Sequence, residues 1–331
     1  MEVSRTENLP PPPGIINSIK AGFDTIANHI TAIFLPLLLN VFLWLGPRLR
    51  VDALFNSVKA EAISIWQTGG MPAADIQRAL TWYESTIPTL NLFWLFRTIP
   101  IGISSLFLSR GASQTPLGAP FIMQVDALSL FGWIFLLIFV GWIGGGLYFR
   151  SVAWLAVANK DEKSQRPSIF RAIFQTMLTS IIWGILFVVI GLPLFFVLAL
   201  VLQFNAFIAN LLVLFLSLAS MWVVVPLFFW PHGIFLKEQN FITSILSSVQ
   251  LARFTLPTSS MFILTVFLLT FGLNFVWSIP PEDSWITLLG IFGHSFVSTA
   301  LLAGSFIYYR DMSTWLQSVI ERLKVNPPKR A

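Results

Sequence analysis

Long uncharged, apolar runs alternate with short charged segments along the chain. The longest run, Ala172–Leu236, contains no Asp, Glu, Lys or Arg, and shorter runs follow Asp24, Asp126, Arg253 and Asp283. One membrane crossing requires roughly 20 helical residues, because a helix rises about 1.5 Å per residue and the hydrocarbon core is about 30 Å thick. The long run therefore accommodates a hairpin of two helices that turns near its polar centre, and each shorter run accommodates one crossing.

This pattern predicts an all-α polytopic membrane protein with six transmembrane helices arranged as three hairpins. The expected spans are residues 30–46, 127–149, 177–201, 207–230, 258–279 and 285–309. They form a membrane domain at 15–310, with a Pro-rich disordered tail at 1–14 and a basic cytoplasmic tail at 311–331. Because the middle hairpin carries no charge, we expect it to form the structural core.

A surface-lying amphipathic helix is predicted before the first span. Ile15, Ile19, Phe23 and Ile26 follow one another at spacings of three and four, which places them on one helical face. Similar segments precede the third and fifth spans, at Arg166–Gln175 and Asn240–Leu251. A threefold repeat of surface helix and hairpin would explain the likeness, but short matches also arise by chance in so apolar a chain.

Residues 48–126 form a predicted extracytoplasmic helical insertion. Two amphipathic helices are expected in it, at 51–67 and 73–85. The following stretch, 87–108, is apolar enough to be re-entrant, surface-lying or a seventh span. We disfavour the span, because Arg97 near its middle would cost about 2.5–3.5 kcal/mol and Pro88 and Pro100 would break the helix.

The composition supports a membrane location. Hydrophobic residues make up 56% of the chain and charged residues only 11%, less than half of the roughly 25% usual in soluble domains. The net charge of +5 comes from basic residues beside the apolar runs, which indicates topology rather than nucleic-acid binding. These residues gather between the second and third spans and after the sixth, which predicts a bacterial cytoplasmic (inner) membrane protein with both termini in the cytoplasm.

His294 is the candidate intramembrane polar site, because ionisable groups at membrane depth are rare and often functional. A structural hydrogen bond, a haem or metal ligand and a proton relay all remain open, and the first is favoured because no span contains Asp or Glu. His29 and His232 flank spans one and four and could meet. Two histidines without carboxylate or thiolate partners make a weak metal site.

Helix-packing and kink positions are also apparent. Small residues let helix backbones approach closely, so the pattern predicts that spans two and six contact other helices. The candidate packing residues are Gly141, Gly145, Ser295, Thr299 and Ala303. Pro193 and Pro226 are expected to kink spans three and four.

Motifs of enzymes and cofactor sites are missing from the sequence. There is no GxSxG, HExxH, GxxxxGK[ST] or CxxC, and the chain has no cysteine. We therefore expect no catalytic residues, no cofactor and no metal. The expected partners are the lipid bilayer and other membrane proteins or further copies of this chain, with no nucleic acid.

Two segments resemble uncharacterised multi-pass bacterial membrane proteins. They are Leu37–Leu49 (LLLNVFLWLGPRL) and Thr115–Pro120 (TPLGAP). The alternation of surface helix and hairpin is also similar, more loosely, to the membrane domain that precedes some glycerophosphodiester phosphodiesterases. The catalytic domain of those enzymes is missing from this sequence, so the resemblance implies a fold and no activity.

Two functions remain open at the level of the sequence. The first is a non-enzymatic scaffold or subunit of a membrane assembly, suggested by uncharged spans with small-residue faces. The alternative is a permease for an apolar or amphipathic solute, suggested by the possible repeat and the two prolines.

Overall fold

A computed structural model describes residues 11–107, 114–157 and 168–325. It confirms an all-α polytopic membrane protein. The predicted tail at 1–14 lies largely outside the described residues, as do Lys160, Lys163 and Arg166, on which the predicted orientation partly rests.

Ten α-helices occupy most of the described residues. Their bounds are α1 Ile15–Asn28, α2 Phe34–Leu45, α3 Asp52–Thr68, α4 Ala73–Thr86, α5 Ala127–Val157, α6 Ile169–Leu186, α7 Leu192–Phe204, α8 Ala206–Leu236, α9 Phe241–Trp277 and α10 Thr287–Val325. A 3₁₀ turn, Ile30–Ile33, precedes α2, and a π-helical turn, Phe187–Gly191, joins α6 to α7.

The described residues contain four to six candidate membrane spans. Four helices are each long and apolar enough to cross: α5, the continuous α6–α7 helix, α9 and α10. Two bent pairs qualify when each is taken as one span, namely α1 with Ile30–Leu45, and the two halves of α8. The upper count matches the six crossings expected from the sequence.

Two compact units make up the chain. Unit 1 contains residues 1–32, 149–271 and 297–331, and unit 2 contains residues 33–148 and 272–296. The core of unit 1 combines α8, α9 and α10, and the rings of Phe262 and Tyr308 stack there with centroids 4.0 Å apart. Helix α1 packs closely against α10, because Gly22 and Gly304 leave no side chain between the two backbones.

Only part of the middle hairpin belongs to the structural core, contrary to expectation. The C-terminal half of α8 contributes Val225 and Phe229 to the core of unit 1, whereas the first helix of the hairpin is largely uncovered. Neither α7 nor the π turn contains a buried residue, and the buried residues of α6 end at Thr179. The prediction failed because a lack of charge shows that a helix tolerates lipid, not that protein covers it. Lipid tails are as apolar as leucine, so an uncharged helix can remain uncovered.

The last helix extends well beyond the predicted span. Helix α10 continues from residue 310, where a tail was expected, as far as Val325. Met312 and Leu316 belong to the hydrophobic core of unit 1. Apolar residues spaced four apart in this mostly polar segment explain why it stays helical and attached.

Unit 2 contains a small sheet that the sequence pattern did not predict. Strand β1, Arg48–Arg50, pairs in parallel with β2, Ile122–Gln124. The sheet joins the two ends of the long insertion, between which the expected amphipathic helices α3 and α4 form. Lys59 of α3 and Glu84 of α4 form an ion pair at 2.6 Å.

No transmembrane helix forms in the described part of the stretch 87–108. Two 3₁₀ helices, Ile87–Thr89 and Leu92–Phe96, are followed by non-helical backbone up to Phe107. We call Arg97–Phe107 the irregular segment. Ile101, Ile103, Ser105 and Phe107 are buried in it, so a seventh span is wrong and so is a purely surface-lying helix.

Candidate functional site

The irregular segment is held by Asn40, a fully buried side chain on α2. Asn40 Oδ1 accepts hydrogen bonds from Leu106 N at 2.7 Å and from Ser105 Oγ at 3.0 Å. Its Nδ2 donates to Pro36 O at 2.7 Å and to Ser104 O at 3.3 Å. The Asn40 amide thus bonds two backbone groups of a non-helical stretch, Leu106 N and Ser104 O. At membrane depth, non-helical backbone is tolerated only where protein or a water-filled cavity surrounds it.

His294 binds the same segment from α10. Its ring is 1% exposed, with Nδ1 2.6 Å from Asn274 Oδ1 and Nε2 3.1 Å from Ser104 Oγ. An amide oxygen only accepts, so Nδ1 donates and Nε2 accepts from the Ser104 hydroxyl. This is a neutral imidazole with both nitrogens engaged, which supports the structural role among those left open.

Two small residues of α5 complete the site around the irregular segment. A Cβ on Gly141 would lie 2.8 Å from Phe96 O, and one on Gly145 would lie 2.7 Å from Ile101 O. Gly141 thus lies against the end of the 3₁₀ helix Leu92–Phe96, and Gly145 lies against the irregular segment. That these glycines pack against another transmembrane helix stays a prediction. The GxxxG spacing shows that a backbone approaches closely, not which structure that backbone adopts.

Arg97 begins the irregular segment and carries a charge that the described residues do not neutralise with a carboxylate. Its Nη1 lies 3.5 Å from Phe107 O, and its buried Nε has no hydrogen-bond partner. Burial lowers the pKa of the Arg97 guanidinium.

A second arginine, Arg48, closes the C-terminal end of α2. Its guanidinium donates to Leu43 O and, at 2.9 Å, to Trp44 O. Burial lowers the pKa of Arg48, and the charge of Glu282 partly offsets this effect. The Trp44 indole donates to Glu282 O at 2.7 Å, so the loop before α10 is attached to the same helix end.

The remaining small residues of α10 are buried in the protein. Ser295, Thr299 and Ala303 are each 0% exposed. Next to them, Gly304 lies against the backbone of Ser18 and Ile19 in α1. Within unit 1, α10 thus contacts α1 at Gly304, and the packing role of Ser295, Thr299 and Ala303 stays a prediction.

The two candidate kinks differ in form. Pro193 follows the π-helical turn, and the helix Ile169–Phe204 continues through it as one span. Helix α8 instead bends by 40° between Ser220 and Trp222, just before Pro226. Proline cannot donate a hydrogen bond to the carbonyl four residues earlier, here Trp222, and this loss accounts for the place of the bend.

His29 and His232 have separate partners. His29 Nδ1 is bonded to Thr25 O at 3.0 Å, whereas His232 is buried with Nε2 2.7 Å from Ser305 Oγ. Among the described residues, no group of three His, Asp or Glu side chains is arranged to hold a metal ion.

A cleft of about 500 Å³ with charged residues in its lining lies in unit 1 between α1, the C-terminal end of α5 and α10. Its charged lining residues are Asp24, Arg310 and Asp311. Sequence analysis did not identify this cleft, because its residues come from three distant segments. Asn40, Ser104 and Asn274 were also missed, although a lone asparagine within an apolar run is a signal that would have found two of them.

Comparisons with protein-family models, with curated proteins and with solved structures found no match for this chain.

Proposed function

We propose that the chain is a non-enzymatic subunit or scaffold of a membrane assembly, and that its middle hairpin docks a transmembrane helix of another chain. The observation that carries this proposal is how little of that hairpin the chain itself covers. None of the most apolar 18-residue window of Ile169–Phe204 is buried, whereas 61% of the corresponding window of α10 is.

Helix α8 supplies a face suited to such contact. Asn210, Ser217 and Ser220 lie on one exposed side of the helix, at spacings of seven and three residues. The Ser217 hydroxyl donates to Val213 O at 2.8 Å and the Ser220 hydroxyl to Ser217 O at 2.7 Å. Small side chains satisfied in this way allow a second helix to approach closely, and packing of this kind drives helix association in lipid.

Single-cysteine crosslinking in native membranes tests the proposal. The chain has no cysteine, so Ser217→Cys introduces a unique thiol on the proposed face. Phe215→Cys is the matched control, because this residue is 66% exposed and lies on the opposite side of the helix. We expect a crosslinked product of defined mass for Ser217→Cys alone; a product of twice the chain mass identifies a second copy as the partner. Equal crosslinking at both positions, or none at either, would contradict the proposed docking face.

We further propose a bacterial cytoplasmic membrane location with both termini in the cytoplasm. Within unit 1, Arg310 Nη1 donates to Ala156 O at 2.9 Å, and Arg171 donates to Glu238 O. The end of α5 thus lies beside residue 310 of α10, and the start of α6 lies beside the residues that follow α8, which supports six alternating spans. A reporter at residue 1 should be active on the same side as one fused after residue 163, and opposite activities would reject this topology.

The alternative is a permease for an apolar or amphipathic solute, and the 40° bend of α8 favours it. A permease requires a water-accessible path beside the bent helix. Val225, which is 0% exposed next to the bend, reports on that path. Labelling of Val225→Cys by a membrane-impermeant thiol reagent would support the permease, and complete protection would reject it.

A further inference from the structure

The cleft of unit 1 carries charges of both signs. Helix α1 forms one wall, the end of α5 a second and residues 307–311 of α10 a third. Its volume of about 500 Å³ lies within the roughly 300–1,000 Å³ range of small-molecule sites. The cleft is therefore large enough for a polar headgroup with its glycerol backbone.

Arg310 supplies the positive group. Its Nε is 2.8 Å from Asp311 Oδ1 and its Nη1 donates to Ala156 O at 2.9 Å. Two of its three nitrogens are thus held by neighbours that fix the guanidinium plane. Nη2 forms no hydrogen bond to any described residue and keeps its donors available for an oxyanion such as a phosphate.

Asp24 supplies the negative group. It lies on α1, lines the cleft and forms neither an ion pair nor a hydrogen bond with the residues that the structure describes. Asn17 and Asn28, on the same helix, add neutral donors and acceptors. The Asp24 carboxylate and the free Nη2 of Arg310 thus line the same cleft. A ligand that carries both an ammonium and a phosphate matches this pair of groups.

The apolar side chains of α1 favour a lipid over a soluble compound of the same chemistry. Ile16 is 80% exposed, and Ile30, just beyond the helix, is 45% exposed. Such side chains on an amphipathic helix insert at the boundary between headgroups and acyl chains. When these side chains are inserted in this way, the cleft beside them lies near the depth at which a phospholipid carries its phosphate.

We propose that this cleft binds the headgroup of a phospholipid with a phosphate and a primary ammonium, of the phosphatidylethanolamine type. Arg310 binds the phosphate and Asp24 accepts hydrogen bonds from the ammonium. A choline headgroup carries no N–H and an unsubstituted glycerol headgroup carries no cation, so both bind more weakly.

Lipid retention by the full-length chain tests the proposal. The protein is purified in mild detergent, incubated with phosphatidylethanolamine, phosphatidylcholine or phosphatidylglycerol of identical acyl chains, and analysed by native mass spectrometry. We expect one tightly held phosphatidylethanolamine and a loss of about tenfold in its affinity for Asp24→Asn, because a hydrogen bond between charged groups is worth at least this factor. Asp283→Asn, an exposed acid outside the cleft, is the matched control and should bind as the unmodified chain does.

A charge reversal makes the test independent of simple loss of binding. Asp24→Lys replaces the acceptor with a second cation, so its preference should change from phosphatidylethanolamine to the anionic phosphatidylglycerol. Soluble phosphoethanolamine at millimolar concentration should compete poorly. Equal retention of all three lipids, an unchanged preference in Asp24→Lys, or full displacement by phosphoethanolamine would each overturn the proposal, the last by showing a site for a soluble compound.

Discussion

Asn40→Ala should destabilise unit 2. The substitution removes the acceptor of Leu106 N and the donor to Ser104 O, both on the irregular segment. A buried polar group left without a partner costs about 1–3 kcal/mol. Because the bond to Ser104 O is long, at 3.3 Å, we expect a loss of about 2–4 kcal/mol in the free energy of unfolding.

Unfolding by denaturant in a fixed detergent measures this loss, with Asn210→Ala as the control. Asn210 lies exposed on α8, so its replacement should change the free energy of unfolding by less than about 0.5 kcal/mol. Hydrogen exchange locates the effect, since the Leu106 amide should lose its protection in Asn40→Ala. The reasoning is refuted if the two variants unfold alike, or if Leu106 stays protected.

Three further predictions concern glycines and a helix cap. Gly145→Ala should lower the free energy of unfolding by at least about 1–3 kcal/mol, because its Cβ would lie 2.7 Å from Ile101 O. Gly132→Ala on the same helix, with open space around it, should be neutral or slightly stabilising. Equal unfolding midpoints for the two variants would contradict the contact between the irregular segment and α5. Gly22→Ala should separate α1 from α10, because its Cβ would lie 2.4 Å from Ala300 O. Faster proteolysis within α1 would reveal the separation, and an unchanged cleavage pattern would argue against the close approach of the two helices. The pKa of Asp126 is held below its ordinary value of 3.8, first by the hydrogen bond from the Ser129 N–H. The stability that the unmodified chain gains over Asp126→Asn should therefore be complete above pH 3.8 and disappear as the pH falls through the lowered pKa. A stability difference that is independent of pH would refute this helix cap.

The positions of the membrane helices could be predicted from the sequence because they depend on local properties. The uncharged runs after Asp126 and Arg253 correspond to α5 and α9, and the spacing of Ile15, Ile19 and Phe23 predicted α1. Hydrophobicity and helical periodicity act over one or two turns. No knowledge of neighbouring segments is needed for either.

The candidate site could be predicted only in part. His294 was identified because it is an isolated ionisable group in a span, but its partners Ser104 and Asn274 come from other segments. Gly141 and Gly145 signalled a close approach without indicating that the backbone of Phe96 and Ile101 makes it. Sequence spacing constrains one surface of a contact and leaves the other surface open.

The sequence by itself determined that the chain is helical, that it lies in a membrane and roughly where its helices begin and end. Tertiary structure decided that the irregular segment lies in the interior of unit 2, that the first helix of the middle hairpin is largely uncovered and that α10 continues to Val325. The physical reason is that lipid and protein interiors are equally apolar, so hydrophobicity alone does not distinguish them. Only long-range polar contacts, such as the one between Asn40 and Leu106 across 66 residues, separate a buried surface from one that faces lipid.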